Sequence, residues 1–257
     1  MKTLTPIITL VLLLAASCTS QQKLAYLSNL PEIGGEEIFT MKIPDYKLQP
    51  RDVLYITVKA MTPDGSIKDF LSSTIGGQGL AYAQGESGGY LSGYDVNPEG
   101  NIVLPVVGPI KVTGLTLEET RKLLQSSVDD VFKNSTVECK LLSFKFTVIG
   151  EVRVPGTYFN YNNYLTVLEA LGRAGGVGDY GRRDNVLVVR QREGESKTYK
   201  LNLQDKNLLS KEAYFLLPND VIIVEPVKQK IFNMNLPTIS FILSSLSTTL
   251  LLINYFK

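Results

Sequence analysis

Histidine and tryptophan are both missing from this sequence of 257 residues. Without histidine the chain lacks the commonest general base near neutral pH and the commonest transition-metal ligand. No Ser-His-Asp triad can be assembled, and no Gly-x-Ser-x-Gly elbow is present. Two cysteines, Cys18 and Cys139, are too few for a structural zinc site without histidine partners. Charge of one sign is also lacking: Lys+Arg number 26 and Asp+Glu 25. That balance excludes the basic surface of a typical nucleic-acid binder. No Gly-Lys-Ser or Gly-Lys-Thr occurs, so there is no Walker phosphate loop. The paired carboxylates Glu118-Glu119 and Asp129-Asp130 fall on an amphipathic helix, where a solvated face accounts for them. The chain therefore reads as a non-enzyme that needs no metal or cofactor.

What is present at the N-terminus is a short targeting pattern. Lys2 supplies positive charge, and Ile7 to Leu14 is an apolar run too short to span a bilayer. Ala15-Ala16-Ser17 then leads into Cys18, a lipobox-like arrangement that makes Cys18 the acylated first residue of the mature chain. An ordinary secretory signal with a chance cysteine is the alternative. Thr19-Ser20 follows, with no aspartate retention signal, which fits delivery to an outer membrane. Cys139 then stands alone in an apparent strand, as a small core residue rather than a reactive thiol.

The middle of the chain alternates strand and helix signals. Residues 18–42 read as a tether. Val53 to Val58 reads as a strand, with Leu54, Ile56 and Val58 on one face. Residues 61–100 form a Gly/Tyr-rich insertion, a mobile surface or inter-subunit loop with a weaker case for stacking on sugar rings. Asn101–Val107 reads as a strand, Gly108-Pro109 as a turn and Ile110–Val112 as a second strand. A helix follows, capped by Thr116 and Glu119 and ended by Lys133-Asn134. Its buried stripe is Leu117, Thr120, Leu124, Val128 and Val131, and Glu118 pairs with Lys122 on the other side. Thr136 to Ile149 reads as one long strand.

Residues 105–114 are echoed by residues 147–156, an offset of 42. Each copy is an apolar strand, a glycine turn, a short strand and a glycine stop. Each precedes a Thr-x-x-Glu cap, Thr116/Glu119 and then Thr166/Glu169. Strand, turn, strand and a helix packed across the sheet make a β-grasp-like α+β unit. The second helix, Val167 to Arg173, stops at Gly175-Gly176. Strand-like segments at 185–191, 198–201 and 221–225 follow, the last after a Pro218-Asn219-Asp220 turn. Arg173, Asp179, Tyr180, Arg182 and Arg183 cluster near one loop. They suit contact with an anionic sugar or a neighbouring subunit, and a plain surface loop is equally open.

The chain ends on a stretch, Ile231 to Phe256, without a charged residue. Pro237 suits a helix start. From Thr238 to Phe256 such a helix would be roughly 28 Å long, against a hydrocarbon core of about 30 Å. Ser240, Ser244, Ser247 and Asn254 share one stripe and apolar residues cover the rest. The stripe can line a pore in a ring of helices or serve only helix packing.

These residues resemble the Wza-like family of outer-membrane polysaccharide export proteins. Tyr46-Lys47-Leu48-Gln49-Pro50-Arg51-Asp52-Val53-Leu54 is similar to the family's opening motif, with Arg51 where glycine is usual. Residues 100–108 and 114–119 resemble the rest of its polysaccharide-export domain. Val148-Ile149-Gly150-Glu151-Val152, Pro155-Gly156, Ala174-Gly175-Gly176 and Pro218-Asn219-Asp220-Val221-Ile222 resemble its soluble-ligand-binding β-grasp (SLBB) domain. The resemblance implies an α+β chain: signal peptide 1–17, tether 18–42, export domain 43–144, β-grasp domain 145–228 and a C-terminal transmembrane helix at 237–257. It also implies a homo-oligomeric ring in the outer membrane, with polysaccharide passing through it. The polymer would be handed on by an inner-membrane chain-length regulator, often coupled to a tyrosine kinase. A glycan-binding or envelope-organising lipoprotein with a helical anchor is the alternative function.

Overall fold

The computed structural model describes residues 25–30, 36–62, 64–71, 93–192 and 194–256. Cys18 and most of the Gly/Tyr-rich insertion lie outside the described residues.

Two hydrophobic cores form in succession. The first is organised by β1 (Val53–Met61), whose Leu54, Ile56 and Val58 are buried as the alternation predicts. β2 (Ile67–Asp69) and β3 (Tyr94–Asp95) pair antiparallel with opposite ends of one edge of β1. A hairpin, β4 (Asn101–Leu104) and β5 (Gly108–Lys111), forms its own two-stranded sheet. Helix α1 (Leu117–Asp129) buries Thr120, Leu124 and Val128. β6 (Ser135–Leu141) then pairs with β1 from Ala60 back to Leu54. Leu124, Val128, Ile102, Ile110 and Val137 close this core over β1.

The second core begins with β7 (Lys145–Gly150) and β8 (Gly156–Phe159). Helix α2 (Val167–Arg173) follows, then β9 (Gly181–Arg192), β10 (Glu195–Leu201) and β11 (Val221–Pro226). The sheet order is β10-β9-β11-β7-β8, with β11 parallel to β7 and every other pair antiparallel. A parallel pair needs a crossover, and α2 lies on that crossover, burying Val167, Ala170 and Leu171 against Phe146 and Val148. This is the β-grasp layout. Gly150 must be glycine: its φ is 91°, and an added Cβ would collide with the Val224 carbonyl of β11.

Several expectations need correction. The hairpin turns at Pro105–Val107, not at Gly108-Pro109, because Val106 takes the left-handed conformation at φ 70°. The echo therefore holds in element order and in both capping boxes, but not residue by residue. Helix α1 stops at Asp129, which leaves Val131 exposed. The long strand expected over 136–149 is two strands in different sheets, β6 and β7, broken at 142–144 where the chain passes between the cores. The expected Glu118–Lys122 pair is present at 3.8 Å, and Arg121 joins it, donating from Nε and Nη2 to the Glu118 carboxylate at 3.0 and 2.7 Å.

The C-terminal helix differs most. α3 runs Lys228–Tyr255, so Pro237 lies inside the helix rather than at its start. Among the described residues, no helix is long and apolar enough to cross a membrane. Ser244, Ser245, Ser247, Thr248 and Thr249 interrupt the apolar run, and Ser245 and Thr249 sit off the Ser240–Ser244–Ser247–Asn254 stripe, so hydroxyls spread over about half of the helix circumference, opposite Leu243 and Leu246.

Candidate functional site

A groove of ≈ 880 Å³ lies between the two domains. One wall comes from the first domain: the approach at 43–46, the start of α1 from Thr116 to Arg121, and Cys139 to Leu141 at the end of β6. The other comes from the second domain: Phe144, the Tyr161–Tyr164 loop, Glu169 and Phe215–Pro218. Each wall is held by the ordering of its own element. In the first domain the Thr116 hydroxyl accepts from Glu119 N–H and the Glu119 carboxylate accepts from Thr116 N–H, at 3.2 and 2.8 Å. Thr166 and Glu169 repeat that box at the same two distances. The loop before α2 is fixed from below by buried Asn160, whose amide donates to the Asn162 carbonyl at 2.8 Å.

The groove is amphipathic. Tyr161 is 66% exposed and Tyr164 48% exposed, and Tyr164 meets Phe215 edge-on at 6.0 Å. The Glu118 carboxyl is held below its ordinary range, first by its hydrogen bonds from Arg121. Burial pushes the Cys139 thiol up to about 12, which keeps it protonated and unreactive at neutral pH. Stacking faces and hydrogen-bonding groups are present, but no nucleophile with an adjacent base. Among the described residues no cluster of three or more His, Cys, Asp or Glu could hold a metal ion.

The structure does not gather the five candidates between Arg173 and Arg183. Arg173, at the end of α2, donates to the Phe159 carbonyl at 2.7 Å and to the Asn160 amide oxygen at 3.0 Å. Asp179 is exposed, and Tyr180 accepts from the Asn233 amide at 3.3 Å, bringing α3 against the second domain. Arg182 belongs to β9 and pairs with Asp184 at 2.8 Å and Glu225 at 3.5 Å. Arg183 donates to the Val177 carbonyl at 3.1 Å and lies over the Tyr26 ring. In α3 the hydroxyls turn back on the helix: Ser244 donates to Phe241 O, Ser247 and Thr248 both to Ser244 O. The groove was missed in sequence because its walls combine short segments scattered from Ile43 to Pro218. Its one legible signal was the Tyr161-Asn162-Asn163-Tyr164 run, too polar and aromatic for a mere connector.

An α+β domain joined to a β-grasp domain defines a two-domain class of protein. Residues 41–142 match the polysaccharide biosynthesis/export protein family, and residues 144–224 match the SLBB domain family. The chain belongs to the Wza-like polysaccharide-export family. Over 138 residues it is 30% identical to the EPS I polysaccharide export outer membrane protein EpsA of Ralstonia nicotianae, covering 52% of this chain and 36% of that protein. Over 189 residues it is 32% identical to the polysialic acid transport protein KpsD of Escherichia coli, covering 71% of this chain and 28% of that protein. The chain thus spans about a third of the length of the curated relatives it matches. The export family and these relatives are export or transport proteins, not enzymes.

Proposed function

We propose that this chain is a lipid-anchored outer-membrane subunit of a polysaccharide-export channel, acting without chemistry. The tandem of an export domain and one SLBB domain, running directly into a helix that is uncharged from Ile231 onward, is the observation that carries this reading. Several copies form a ring, and polymer passes through it from an inner-membrane chain-length regulator. Cys18 carries the acyl groups. Helix α3 enters the membrane as one stave of a helical barrel rather than as a lone span. Its back-bonded hydroxyls support this role, since a serine or threonine that satisfies itself tolerates an apolar setting. Ser240, Ser244, Ser247 and Asn254 face the lumen or a neighbouring stave.

The test is deletion of Thr238–Lys257 in the producing cell. A folded, secreted protein with no surface polysaccharide is the expected result. Persisting surface polysaccharide would instead favour a glycan-binding or envelope-organising lipoprotein, for which the exposed Tyr161 and Tyr164 of the groove are the supporting feature. Charged substitutions sharpen the orientation of α3. A lysine at Ser244 should be accepted in a wet lumen, whereas one at Leu246 should cost about 2–3 kcal/mol and block insertion.

A further inference from the structure

The edge of β6 that turns away from β1 is capped at one end and open at the other. Leu142 N–H donates to Val53 O at 2.8 Å. Antiparallel pairing alternates, so Lys140, Glu138 and Thr136 also face β1, while Leu141, Cys139, Val137 and Ser135 turn their backbone groups outward. At the start of the strand Gln125 of α1 meets these groups. Val137 N–H donates to the Gln125 amide oxygen at 2.9 Å, and the Gln125 amide donates to Ser135 O at 2.9 Å. At the end of the strand, the outward backbone groups of Cys139 and Leu141 have no hydrogen-bond partner among the described residues. Both residues line the groove between the domains. One wall of the groove is thus an open strand edge, which is a template for a further strand.

A matching segment lies in the approach to the first domain. Residues 36–46 run without helix, strand, bend or turn. Residues 38–43 make no hydrogen bond among the described residues. Ile38 is 93% exposed, Met41 51% and Ile43 50%. Phe39, Met41 and Ile43 alternate with Ile38, Thr40 and Lys42, so in strand form three apolar side chains share one side. The run is rich in residues that suit a half-buried pleated surface. It is held at both ends, by Glu37 pairing with Lys206 at 2.8 Å and by the Tyr46 hydroxyl donating to Asp52 at 2.8 Å. Within its own copy no β-bridge joins it to residues 139–141.

We infer that residues 38–43 of one copy add as a strand to the open end of β6 in the next copy, lying in its interdomain groove. The inference rests on the ring reading above and deepens it by naming what holds neighbouring copies together. Cys139 and Leu141 supply the pairing N–H and C=O groups, and the Gln125 cap stops the ladder at Val137. Six residues in strand form reach about 20 Å, longer than the open end of β6. The remainder lies against Phe144 and the Tyr161–Tyr164 loop of the opposite wall. Pro44, which has no N–H, ends the added strand. Donor and acceptor are different surfaces of the chain, so the contact is heterologous and repeats head to tail, as a ring requires.

The test uses the full-length particle extracted in mild detergent, carrying a photo-crosslinking benzophenone analogue of phenylalanine at Phe39. Irradiation should give an adduct of dimer mass whose joined peptide contains residues 139–144 or 161–164. An adduct confined to monomer mass would place the segment in its own groove and overturn the inference. Thr40→Pro and Met41→Pro then test the backbone pairing, since both positions are exposed and neither touches a core. Neighbouring N–H groups point to opposite sides of a strand, and proline is accepted on the open side of an edge strand. One substitution should abolish the dimer adduct and the other leave it; equal effects would overturn strand addition. A multimeric particle that gives no adduct in the groove overturns the inference alone. A monomeric particle without adducts overturns the ring reading and this inference with it.

Discussion

Pro50-Arg51-Asp52-Val53 and Pro218-Asn219-Asp220-Val221 fold into the same turn, one ahead of β1 and one ahead of β11. The residue before each aspartate is left-handed, Arg51 at φ 75° and Asn219 at φ 68°. Each carboxylate is buried and accepts the backbone N–H three residues back, from Gln49 at 2.9 Å and Leu217 at 2.8 Å. The two copies differ in what else meets the charge. Asp52 takes neutral donors, the Tyr46 hydroxyl at 2.8 Å and the Ser143 hydroxyl at 3.1 Å, and burial still pushes its carboxyl above the ordinary value. Asp220 takes the Arg190 guanidinium in a fork at 2.8 and 3.0 Å, and Arg190 also donates to the Phe215 carbonyl. One turn motif is thus compatible with two kinds of compensation. In the first domain it ties β1 to the link between domains, and in the second it locks β11 to β9.

The difference can be broken most sharply at Asp220. Asp220→Ala strands Arg190 as a buried cation and should cost about 3–5 kcal/mol in denaturant unfolding; a loss below about 1 kcal/mol would show that the pair is not buried. Asp52→Ala should cost about 1–3 kcal/mol, while Asp52→Asn keeps one oxygen for the Tyr46 hydroxyl and Gln49 N–H and turns an NH2 toward the Ser143 hydroxyl, which can accept, and should recover most of that. Equal losses for the two Asp52 variants would remove the distinction between the turns. The two helix caps are a second comparison, and Thr116→Ala and Thr166→Ala should each cost about 1 kcal/mol. Smaller still, Arg51→Gly should stabilise by about 0.5–1 kcal/mol, and Asn219→Gly by less, because asparagine already tolerates the left-handed region.

The smallest expected effect concerns pH. The Asp205 carboxyl is held below its ordinary value, first by Asn207 N–H and then by the Asn29 amide, whose neighbours Leu27 and Ser28 dock on the second domain by N–H donation to Leu203 O and Gln204 O at 2.9 and 2.8 Å. The part supplied by Asn29 stabilises that docking above the free value of about 3.9, and it fades as pH falls through the lower docked value. Amide exchange at Leu27 and Ser28 should therefore be slow at neutral pH and quicken relative to the domain core below about pH 4; an unchanged ratio would separate Asp205 from the docking of residues 26–29.

Local signals were the legible ones. The capping boxes at Thr116/Glu119 and Thr166/Glu169, the alternation over Leu54, Ile56 and Val58, and the Gly175-Gly176 stop are each set within a few residues. The Pro218-Asn219-Asp220 turn was visible too, whereas Arg51 stood out only as a departure from the usual glycine, and its left-handed backbone at φ 75° was supplied by the fold. Arg190 was not, because it reaches Asp220 across 30 residues of chain and no spacing rule links them. The 142–144 break was hidden because both flanking segments are strand-forming, and only pairing decides that they join different sheets. The docking of residues 26–29 on the second domain was hidden for the converse reason: it uses the Leu27 and Ser28 backbone N–H groups and the Tyr26 and Asn29 side chains, which leave no periodic trace. In α3 the polar stripe was read without Ser245 and Thr249, whose hydroxyls donate to the Ile242 and Ser245 carbonyls.

The account turns on several copies of this chain enclosing a passage. The mass and rotational symmetry of the full-length particle extracted from native membranes in mild detergent test that most directly. A closed ring of many copies with density for the α3 helices at its axis is the predicted result. A monodisperse single copy whose C-terminal helix stays outside the detergent belt would contradict it.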